Sequence, residues 1–440
     1  METKQKIIIV GGGFAGLQFA RHLDPKYFEA ILIDQVNHHQ FQPLFYQVAS
    51  ARIEPSSISF PFRKIFQHKD HVQIRLAKVQ EVDAEKKIVK TTIGDFNYDI
   101  LVLATGCVTN YFGLKLPESG VYSLKTTYEA IQIRNNIIRN FENIVAKGAD
   151  APEELYNIVI VGAGPTGVEM AGAFAEMKKN ILPKDYPRIN YSKVRIILVE
   201  GSKTTLTAMS TTAQKASLKF LRQLGVEVRL GIFVKEFENN IVTLSDGEQL
   251  KTKNLIWTGG IKGNLIGGLE KGTIERNNRI VVDRFNKIEG YDDIYAIGDI
   301  ALMKTLKYPN GHPQVANVAI NQGKMLAKNL RRVQTGKTQE EYEYEDRGSM
   351  ATVGKFKAVV DLPYLKFKGL VAWFAWMFLH LMLILSVRNR LIIFINWVWS
   401  FFTNDTSLRL ILSEEKKNDS SVPGKIESTI NKPKLHLIHS

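Results

Sequence analysis

The sequence predicts an α/β fold, and three observations support that class. An apolar, β-branched run leads into a Gly-x-Gly-x-x-Gly turn and a helical pattern, and this unit occurs twice, at residues 6–16 and 156–167. Each unit is followed by another apolar strand that ends on a carboxylate. From Arg347 on, the chain contains long uncharged, aromatic runs. We therefore predict two Rossmann-like dinucleotide-binding domains, the second inserted in the first, plus a C-terminal helical membrane-anchor region.

The first unit consists of a predicted buried strand at residues 7–10 and a turn at Gly11, Gly13 and Gly16. In such a turn one glycine makes the bend, one lets the backbone approach a pyrophosphate, and one allows close packing of helix and strand. The helix that follows offers free N–H groups to phosphates. Asp34 ends the next strand, where a carboxylate accepts the ribose hydroxyls of a dinucleotide. The alternative, a glycine turn without a ligand, leaves this acid unexplained.

The second unit repeats the order with a strand at residues 156–161 and with Gly162, Gly164 and Gly167. Its acid, Glu200, comes later than usual because a proline-containing loop is inserted. A carboxylate at this point bonds the adenosine ribose diol and repels a 2′-phosphate, so we expect NADH rather than NADPH. Two complete fingerprints in one chain are a strong signal for two dinucleotide sites.

Further strands end in small residues that let the backbone approach a ligand. Residues 98–106 end in Ala-Thr-Gly, and residues 255–260 end in Gly-Gly. A third strand ends in Gly298-Asp299, where the carboxylate can hold the ribityl chain of a flavin. The aromatic segment at residues 37–49 has two interpretations: packing under the sheet, or a loop that lies against the ring system of a cofactor.

Composition limits the compartment and the partners. The chain has 440 residues, a formal net charge of +14 and one cysteine, Cys107. A single cysteine excludes an internal disulfide and any Cys-x-x-Cys centre, so we predict no metal site and a reducing compartment. Because the first strand begins at Ile7, we expect no signal peptide. The charge favours an anionic lipid surface over nucleic acid, for which no binding module is found; a lysine-rich proteome is the alternative.

The C-terminal region contains two apolar runs. Residues 369–387 carry no charge, and three interpretations stay open: a core helix, a membrane span of minimal length, and a helix in the membrane plane, which we favour. Residues 391–402 are too short to span and suit an interfacial helix with Trp397 and Trp399 at headgroup level. A loosely ordered polar tail is expected from residue 413 on.

These motifs together resemble the two-dinucleotide-binding flavoprotein superfamily, through GGGFAG, GAGPTGVEMAG, the ATG turn and the AIGD strand end. Within it, FQPLFYQVAS, VANVAINQG and the aromatic C-terminus are similar to type II NADH dehydrogenases, the membrane-attached NADH:quinone oxidoreductases. The resemblance covers roughly residues 5 to 410. It implies hydride transfer from NADH to N5 of FAD, followed by two-electron reduction of a membrane quinone. Proton pumping is not expected, because no row of intramembrane charges exists.

The resemblance also implies which residues bind each group. Glu169 is implied near the nicotinamide, where it orients NADH; the alternative is a helix glutamate paired with a lysine. The implied cofactor-binding residues are, for FAD, Gly11, Gly13, Gly16, Asp34, Thr105, Gly106 and Asp299, and, for NADH, Gly162, Gly164, Gly167, Glu200 and Gly260. The quinone is implied to reach the opposite flavin face near Pro43, Asn317, Ile320, Asn321 and Lys355. Asn317 and Asn321 replace the two glutamines usual in the family, and each amide is shorter by one methylene.

The domain boundaries that we predict are residues 1–118 with 285–345 for FAD, 119–284 for NADH, 346–412 for membrane attachment and 413–440 for the tail. We expect a peripheral or monotopic protein on the cytoplasmic face of a membrane, with the bacterial inner membrane favoured, and a homodimer stays open. Two alternatives remain: a soluble-type FAD-dependent NADH reductase of a protein electron carrier, and a non-enzymatic flavoprotein scaffold. The single cysteine argues against disulfide reductases and sulfide:quinone reductases, which use cysteine pairs.

Overall fold

The structure is a computed structural model that describes residues 4–117, 119–270, 273–405 and 408–412, so the predicted tail lies outside the described residues. The helices are α1 Phe14–His22, α2 Phe45–Ala49, α3 Phe62–Ile65, α4 Thr127–Lys147, α5 Pro165–Asn180, α6 Leu182–Asp185, α7 Thr211–Gln223, α8 Ala316–Gln334, α9 Leu370–Leu383 and α10 Val387–Thr403. The strands of the first part are β1 Gln5–Val10, β2 Phe28–Asp34, β3 His38–Gln40, β4 Ser59–Pro61, β5 Val72–Leu76, β6 Val79–Asp83, β7 Ile88–Thr91, β8 Gly94–Asn97, β9 Ile100–Leu103 and β10 Cys107–Thr109. The later strands are β11 Val121–Ser123, β12 Asn157–Val161, β13 Arg195–Glu200, β14 Glu227–Leu230, β15 Val234–Glu238, β16 Ile241–Leu244, β17 Gln249–Lys251, β18 Leu255–Trp257, β19 Ile261–Gly263, β20 Ile274–Glu275, β21 Arg279–Val282, β22 Ile294–Ala296, β23 Ala301–Met303, β24 Ser349–Gly354, β25 Lys357–Asp361 and β26 Lys366–Lys368.

The first glycine turn follows the central strand of a parallel five-stranded sheet, ordered β22-β9-β1-β2-β5. Ile8 of β1 lies opposite Ile31 of β2 and Leu101 of β9. Helices α1 and α8 cover one face of this sheet, and apolar side chains of the strands near β23 cover the other. A strand that is buried on both faces needs apolar residues at successive positions, which explains the continuous run at residues 7–10.

The second glycine turn follows the central strand of a separate parallel sheet, ordered β11-β18-β12-β13-β14. Ile160 of β12 lies opposite Leu198 of β13 and Ile256 of β18. In both sheets the strand before the glycine turn lies between the strand that ends on the acid and the strand that ends in small residues. The predicted α/β class is therefore confirmed.

The two sheets are connected by the short antiparallel pair of β10 with β19, in which Val108 lies opposite Lys262. Between these strands the chain forms the whole second sheet and the small antiparallel sheet of β15, β16 and β17. After β19, strand β20 pairs with β21, and β21 pairs with β23, which follows Asp299. The chain thus leaves the first sheet, builds the second one and returns.

The C-terminal region begins with the antiparallel sheet β24-β25-β26, which lies against helix α5. The approach is so close that a Cβ on Gly172 would lie 1.7 Å from the carbonyl oxygen of Val353, so only glycine fits there. Helices α9 and α10 follow, separated by an extended break at the fully buried Ile384. The uncharged run predicted at residues 369–387 is therefore interrupted and does not form one helix.

The two C-terminal helices divide into an inner and an outer face. Trp376 and Trp397 are buried inside, whereas Phe378 is 66% exposed and Trp399 is 62% exposed. The prediction of Trp397 at headgroup level is wrong, because its indole Nε1 donates a hydrogen bond to Gln47 Oε1 at 2.8 Å inside the protein. Of the helices in the described ranges, none is both long and apolar enough to cross a membrane.

Candidate functional site

The first glycine turn is fixed by close contacts between backbone groups. The Gly11 amide donates to the Ile33 carbonyl at 2.8 Å, which ties the end of β1 to β2. A Cβ on Gly16 would lie 2.0 Å from the Gly11 carbonyl oxygen, so a side chain does not fit between α1 and the turn. Around Gly13, by contrast, no atom of the described residues lies within 4 Å of a built Cβ. The turn is therefore tight towards the protein and open on the side where a pyrophosphate would approach.

Asp34 supports this turn through two hydrogen bonds. Its carboxylate accepts from the Gly12 amide at 2.6 Å and from the Val36 amide at 2.9 Å. Burial raises the pKa of Asp34, and the hydrogen bonds from backbone amides oppose that rise. The carboxylate borders a cavity of about 190 Å³ whose wall also contains Gly11, Thr105 and Asn264.

A dinucleotide fits the residues around this cavity. The N-cap of α1 is Gly13, which has no side-chain cap, so the first amides of the helix are free to bind phosphate. The glycine backbone, this helix end and Asp34 together form what we call the first cradle. These are the groups that hold the pyrophosphate and ribose of a cofactor such as FAD.

The other residues predicted for FAD lie on neighbouring strand ends of the same sheet. Thr105 Oγ1 donates to the Asn264 carbonyl at 2.7 Å, and the Asn264 amide donates to the Gly106 carbonyl at 3.1 Å. Asp299 follows β22, and the amide of the preceding Gly298 donates to Gln322 Oε1 at 2.8 Å. Buried Gln322 thus fixes the Gly298 turn from helix α8, a role that the sequence pattern does not indicate.

Cys107 contacts Asp299 directly, which the sequence also did not predict. Its thiol donates to Asp299 Oδ2 at 3.1 Å, and Lys125 Nζ donates to the sulfur at 3.3 Å. Burial, reinforced by the Asp299 charge, raises the pKa of Cys107 to about 12. The residue is therefore a neutral thiol that positions a carboxylate, and the spacing of residues 107, 125 and 299 along the chain gave no signal of this contact.

The second glycine turn has the same construction. A Cβ on Gly167 would lie 1.8 Å from the Gly162 carbonyl oxygen, and Thr258 Oγ1 donates to that carbonyl at 3.0 Å. Glu200 accepts from the Ala163 amide at 2.6 Å and from the Ser202 amide at 2.7 Å. We call Gly162–Gly167 with Glu200 the second cradle. Gly164 is the N-cap of α5 and has no side-chain cap, so this helix end is also free to bind phosphate.

Gly260, predicted to bind NADH, lies beneath an aromatic ring. A Cβ at this position would lie 2.6 Å from the Phe112 ring, which is itself 66% exposed. The neighbouring Trp257 donates from Nε1 to the Asn110 carbonyl at 3.0 Å and holds this loop in place. Phe112 therefore covers the small-residue end of β18, a contact between segments that are about 150 residues apart and that the sequence did not indicate.

Glu169 lies on the inner face of α5, in the wall of a cavity of about 80 Å³ between α5 and the C-terminal helices. Burial raises the pKa of its carboxyl to about 8, although a weak hydrogen bond from the Thr352 amide at 3.4 Å opposes the rise. In the part of the chain that the structure describes, Glu169 makes no ion pair, so the alternative of a helix glutamate paired with a lysine is wrong.

The residues predicted for quinone fall into two groups. Lys355 is in the wall of the Glu169 cavity, and its Nζ donates to the Phe401 carbonyl and, at 3.0 Å, to Asn404 Oδ1. Asn317 and Asn321 lie in the first turns of α8 and bond each other, with Nδ2 of Asn321 2.9 Å from Oδ1 of Asn317. The half-buried Ile320 lies between them.

The segment around Pro43 connects to the Lys355 group rather than to the asparagines. Pro43 is half-buried in a short 3-10 turn, and the next residues form α2, whose Tyr46 and Gln47 line the Glu169 cavity. The packing interpretation of residues 37–49 is confirmed for Phe45, which is buried in the core. A position against the ring system of a cofactor stays a prediction, and Tyr46 and Gln47 reach the Glu169 cavity. Arg52 and Glu176 form an ion pair in the same wall.

Comparison with known proteins defines the class first. A family model described as pyridine nucleotide-disulphide oxidoreductase matches residues 5–323, and a model described as NDH2 C-terminal domain matches residues 347–404. The first match covers more than half of the chain, and the α/β fold with two cradles is that of this class.

The relatives narrow the class. A type II NADH:quinone oxidoreductase of Mycobacterium tuberculosis, Ndh, is 30% identical over 422 residues, which are 91% of this chain and 89% of that protein. The type II NADH:quinone oxidoreductase of Staphylococcus aureus is 27% identical over 81% of this chain and 90% of its own length. The chain belongs to the type II NADH:quinone oxidoreductases, as the sequence motifs predicted.

Solved structures agree on the fold. NDH2 from Plasmodium falciparum, solved in complex with NADH, superposes with a TM-score of 0.86 at 20% identity and covers 93% of this chain and 100% of its own. The sulfide:quinone oxidoreductase of Aquifex aeolicus superposes with a TM-score of 0.70 at 18% identity, over 96% of this chain and 99% of that one. At these identities both likenesses concern the fold alone.

Proposed function

We propose that this protein is an FAD-dependent NADH:quinone oxidoreductase that does not pump protons. The observation that carries the proposal is the pair of cradles, each a glycine turn with an acid held by two backbone amides, in a chain of the type II family. The relatives' activity is NADH:quinone oxidoreduction, and the two cradles provide one site for each dinucleotide that the activity needs.

Each cradle is assigned to one dinucleotide. The first, with Gly11, Gly13, Gly16 and Asp34, would hold FAD together with Thr105, Gly106 and Asp299. The second, with Gly162, Gly164, Gly167 and Glu200, would hold NADH together with Gly260. Bound FAD supplies the redox chemistry, accepting a hydride from NADH and giving two electrons to a quinone. The protein contributes binding and orientation, which place the reacting groups at near-attack distance.

Glu169 is proposed as the residue that orients NADH near the nicotinamide. Its carboxyl is buried, and with a pKa raised to about 8 it is protonated at neutral pH. A neutral carboxylic acid can donate one hydrogen bond and accept another, so it can bind a carboxamide without bringing a charge into the site. Because the Glu169 carboxyl lines the cavity that we propose for quinone, it would also hold a proton for quinone reduction.

The quinone is proposed to bind near Pro43, Lys355 and the first turns of α8 at Asn317, Ile320 and Asn321. The wall of the Glu169 cavity, which Lys355 also lines, supports this, because it contains the aromatic side chains of Trp373, Trp376 and Phe401. The same wall contains polar and charged side chains such as Glu169 and Lys355. Aromatic groups can pack on a quinone ring, and polar groups can bind its oxygens. The mutual hydrogen bond of the two asparagines leaves each amide with further donor and acceptor capacity for a quinone.

Attachment to a membrane is proposed through the outer faces of α9 and α10. Phe374, Phe378, Trp399 and Phe402 are between 50% and 76% exposed there, and an apolar face of this extent marks an interaction surface. Helices of this kind lie in the membrane interface. We propose that the protein is peripheral or monotopic and lies on the cytoplasmic face of a bacterial inner membrane. We also propose the domain boundaries that the sequence predicts. The exposed face argues against a soluble reductase of a protein carrier.

Two measurements test the proposal. NADH oxidation by the purified holoprotein should be fast with a short-chain quinone and negligible with a disulfide. Turnover only with a ferredoxin-like protein would favour the alternative of a carrier reductase. Absence of any turnover would favour the alternative of a non-enzymatic scaffold. Phe378→Ser with Trp399→Ser should release the protein from phospholipid vesicles, whereas the matched pair Tyr128→Ser with Leu306→Ser, exposed apolar residues outside α9 and α10, should stay attached. If both variants leave the vesicles, or if both stay attached, the outer faces of α9 and α10 are not the membrane contact.

A further inference from the structure

A groove of about 600 Å³ lies beside the junction of α9 and α10, at the N-terminal end of α10, whereas the Glu169 cavity borders the C-terminal half of that helix. One wall comes from β3, β4 and α3, and the other from the break between the two C-terminal helices. The first wall includes Lys64 and the second includes Arg388. None of the residues assigned to FAD, NADH or quinone lines this groove.

The charges in the groove are positive and unpaired. Lys64 and Arg388 are both exposed, and neither makes an ion pair or a hydrogen bond with any of the residues that the structure describes. The described lining of the groove contains no carboxylate. Burial lowers the pKa of His38, which also lines the groove, so its imidazole adds no charge at neutral pH. The net field of the groove therefore suits an anion.

The groove is held open by a fixed connection between its walls. Asn389 of α10, 6% exposed, donates from Nδ2 to the Ser56 carbonyl at 3.2 Å and to the Ser57 carbonyl at 3.0 Å. Ser56, Ser59 and Ser386 line the space next to this link, where the Ser59 hydroxyl donates to the Pro55 carbonyl at 2.9 Å and the Ser56 hydroxyl donates to Glu54 Oε2 at 3.4 Å. The walls are thus preorganised, and neutral hydrogen-bonding groups stand beside the two cations.

The groove adjoins the apolar face that we propose to contact the membrane. On the first turns of α10, Val387 is 69% exposed and Leu391 is 57% exposed, and they flank Arg388 on the helix. Leu385 and Ile65 add apolar surface inside the groove. Cationic and apolar groups that meet at one edge match the two halves of a phospholipid.

We propose that this groove binds the headgroup of an anionic phospholipid. The phosphate would lie between Lys64 and Arg388, and the acyl chains would follow the exposed apolar face of α10. This inference rests on the proposed membrane attachment, and it adds a specific headgroup site to a general apolar contact. Such a site would fix the orientation of the protein on the membrane.

The test compares vesicles of pure phosphatidylcholine with vesicles that also contain phosphatidylglycerol. The wild-type holoprotein should prefer the phosphatidylglycerol vesicles, and Lys64→Ala with Arg388→Ala should weaken that binding about tenfold or more. The matched control, Lys235→Ala with Lys337→Ala, removes the same charge from exposed sites outside the groove and should keep most of the preference. If the alanine pair does not fold, the glutamine pair at the same positions replaces it.

Three results would overturn the proposal. Equal weakening by the groove pair and the control pair would mean that only overall charge matters. Unchanged binding by the groove pair would mean that the groove takes no headgroup. In the third result, inorganic phosphate stabilises the wild type but not the groove pair, and both proteins bind the vesicles equally well. That result would assign the groove to a free anion. Turnover of the groove pair with NADH and a short-chain quinone in detergent should equal the wild type, and a loss confined to the groove pair would mean that the groove is not separate from the reaction site. Absence of turnover in the wild type itself would count against the proposed function instead.

Discussion

The two cradles of this protein have the same framework and different surroundings. In both, the glycine turn follows the central strand of a five-stranded parallel sheet. The carboxylate at the end of the next strand accepts hydrogen bonds from two backbone amides. The first cradle then acquires groups from far along the chain, since Gln322 and Cys107 hold its Gly298-Asp299 turn. The second is covered by the exposed Phe112.

The helices after the two turns differ in the same way. Two residues past the last glycine, α1 carries half-buried Gln18, whereas α5 carries buried Glu169. The sheet of the C-terminal region buries α5 at Gly172, and α1 packs instead against α8. A repeated unit therefore gives two binding sites of one type, while the elements packed on each helix decide what chemistry surrounds it.

The largest expected effects come from adding a methyl group to the last glycine of each turn. Gly16→Ala and Gly167→Ala would each place a Cβ within 2.0 Å of a backbone carbonyl oxygen, and overpacking of this kind costs about 1–3 kcal/mol. Gly16→Ala should purify without FAD, and Gly167→Ala should keep FAD but lose its reduction by NADH. Gly13→Ala, where the space is open, should lower FAD affinity without destabilising the apoprotein. FAD loss from Gly167→Ala alone would reverse the assignment of the cradles.

Removing the charge of the acid in each cradle should further distinguish the ligands of the two cradles. Asp34→Asn should weaken FAD binding, and Glu200→Gln should leave FAD bound while raising the KM for NADH, each by about tenfold or more, because a hydrogen bond to a charged group contributes about 1.5–3 kcal/mol. Glu200→Gln should also relax discrimination against NADPH. FAD content by absorbance and KM values for both nucleotides measure this. Unchanged constants for both nucleotides would remove Glu200 from the site.

Glu169 should make stability depend on pH. Its pKa is raised to about 8, so between the ordinary glutamate value and about pH 8 only the unfolded state loses the proton. The free energy of unfolding should therefore fall as pH rises through this window, by about 1.4 kcal/mol per pH unit.

Glu169→Gln should lack this slope, and the exposed control Glu29→Gln should retain it. Urea unfolding of the three proteins across the window gives the slopes. Parallel profiles for wild type and Glu169→Gln would mean that the carboxyl is ionised in the folded protein.

The smallest effect is expected at Cys107, which only the first cradle possesses. Cys107→Ala removes one hydrogen bond to Asp299 and should weaken FAD binding about threefold, in keeping with about 0.5–1.5 kcal/mol for such a bond. Cys107→Ser should restore it. Because the pKa is raised to about 12, the thiol should alkylate far more slowly than free cysteine at neutral pH. Complete loss of FAD from the alanine variant would show a larger role.

The sequence was informative where chemistry is local. The strands before Gly11 and Gly162, the acids at 34 and 200, and the family followed from patterns a few residues long. Contacts between distant segments were not predictable, such as Cys107 with Asp299 or Trp397 with Gln47. The uncharged run at residues 369–387 predicts one apolar segment, because hydropathy does not register the extended break at the buried Ile384.

The central claim is that electrons pass from NADH in the second cradle to FAD in the first and then to a quinone. Anaerobic stopped-flow of the purified yellow protein tests it directly, by following flavin absorbance on mixing with NADH and then with a short-chain quinone. We predict fast bleaching and then fast recovery with quinone but not with a disulfide. Bleaching without recovery by quinone would contradict the account and would make Asn317, Asn321 and Lys355 the residues to reassign.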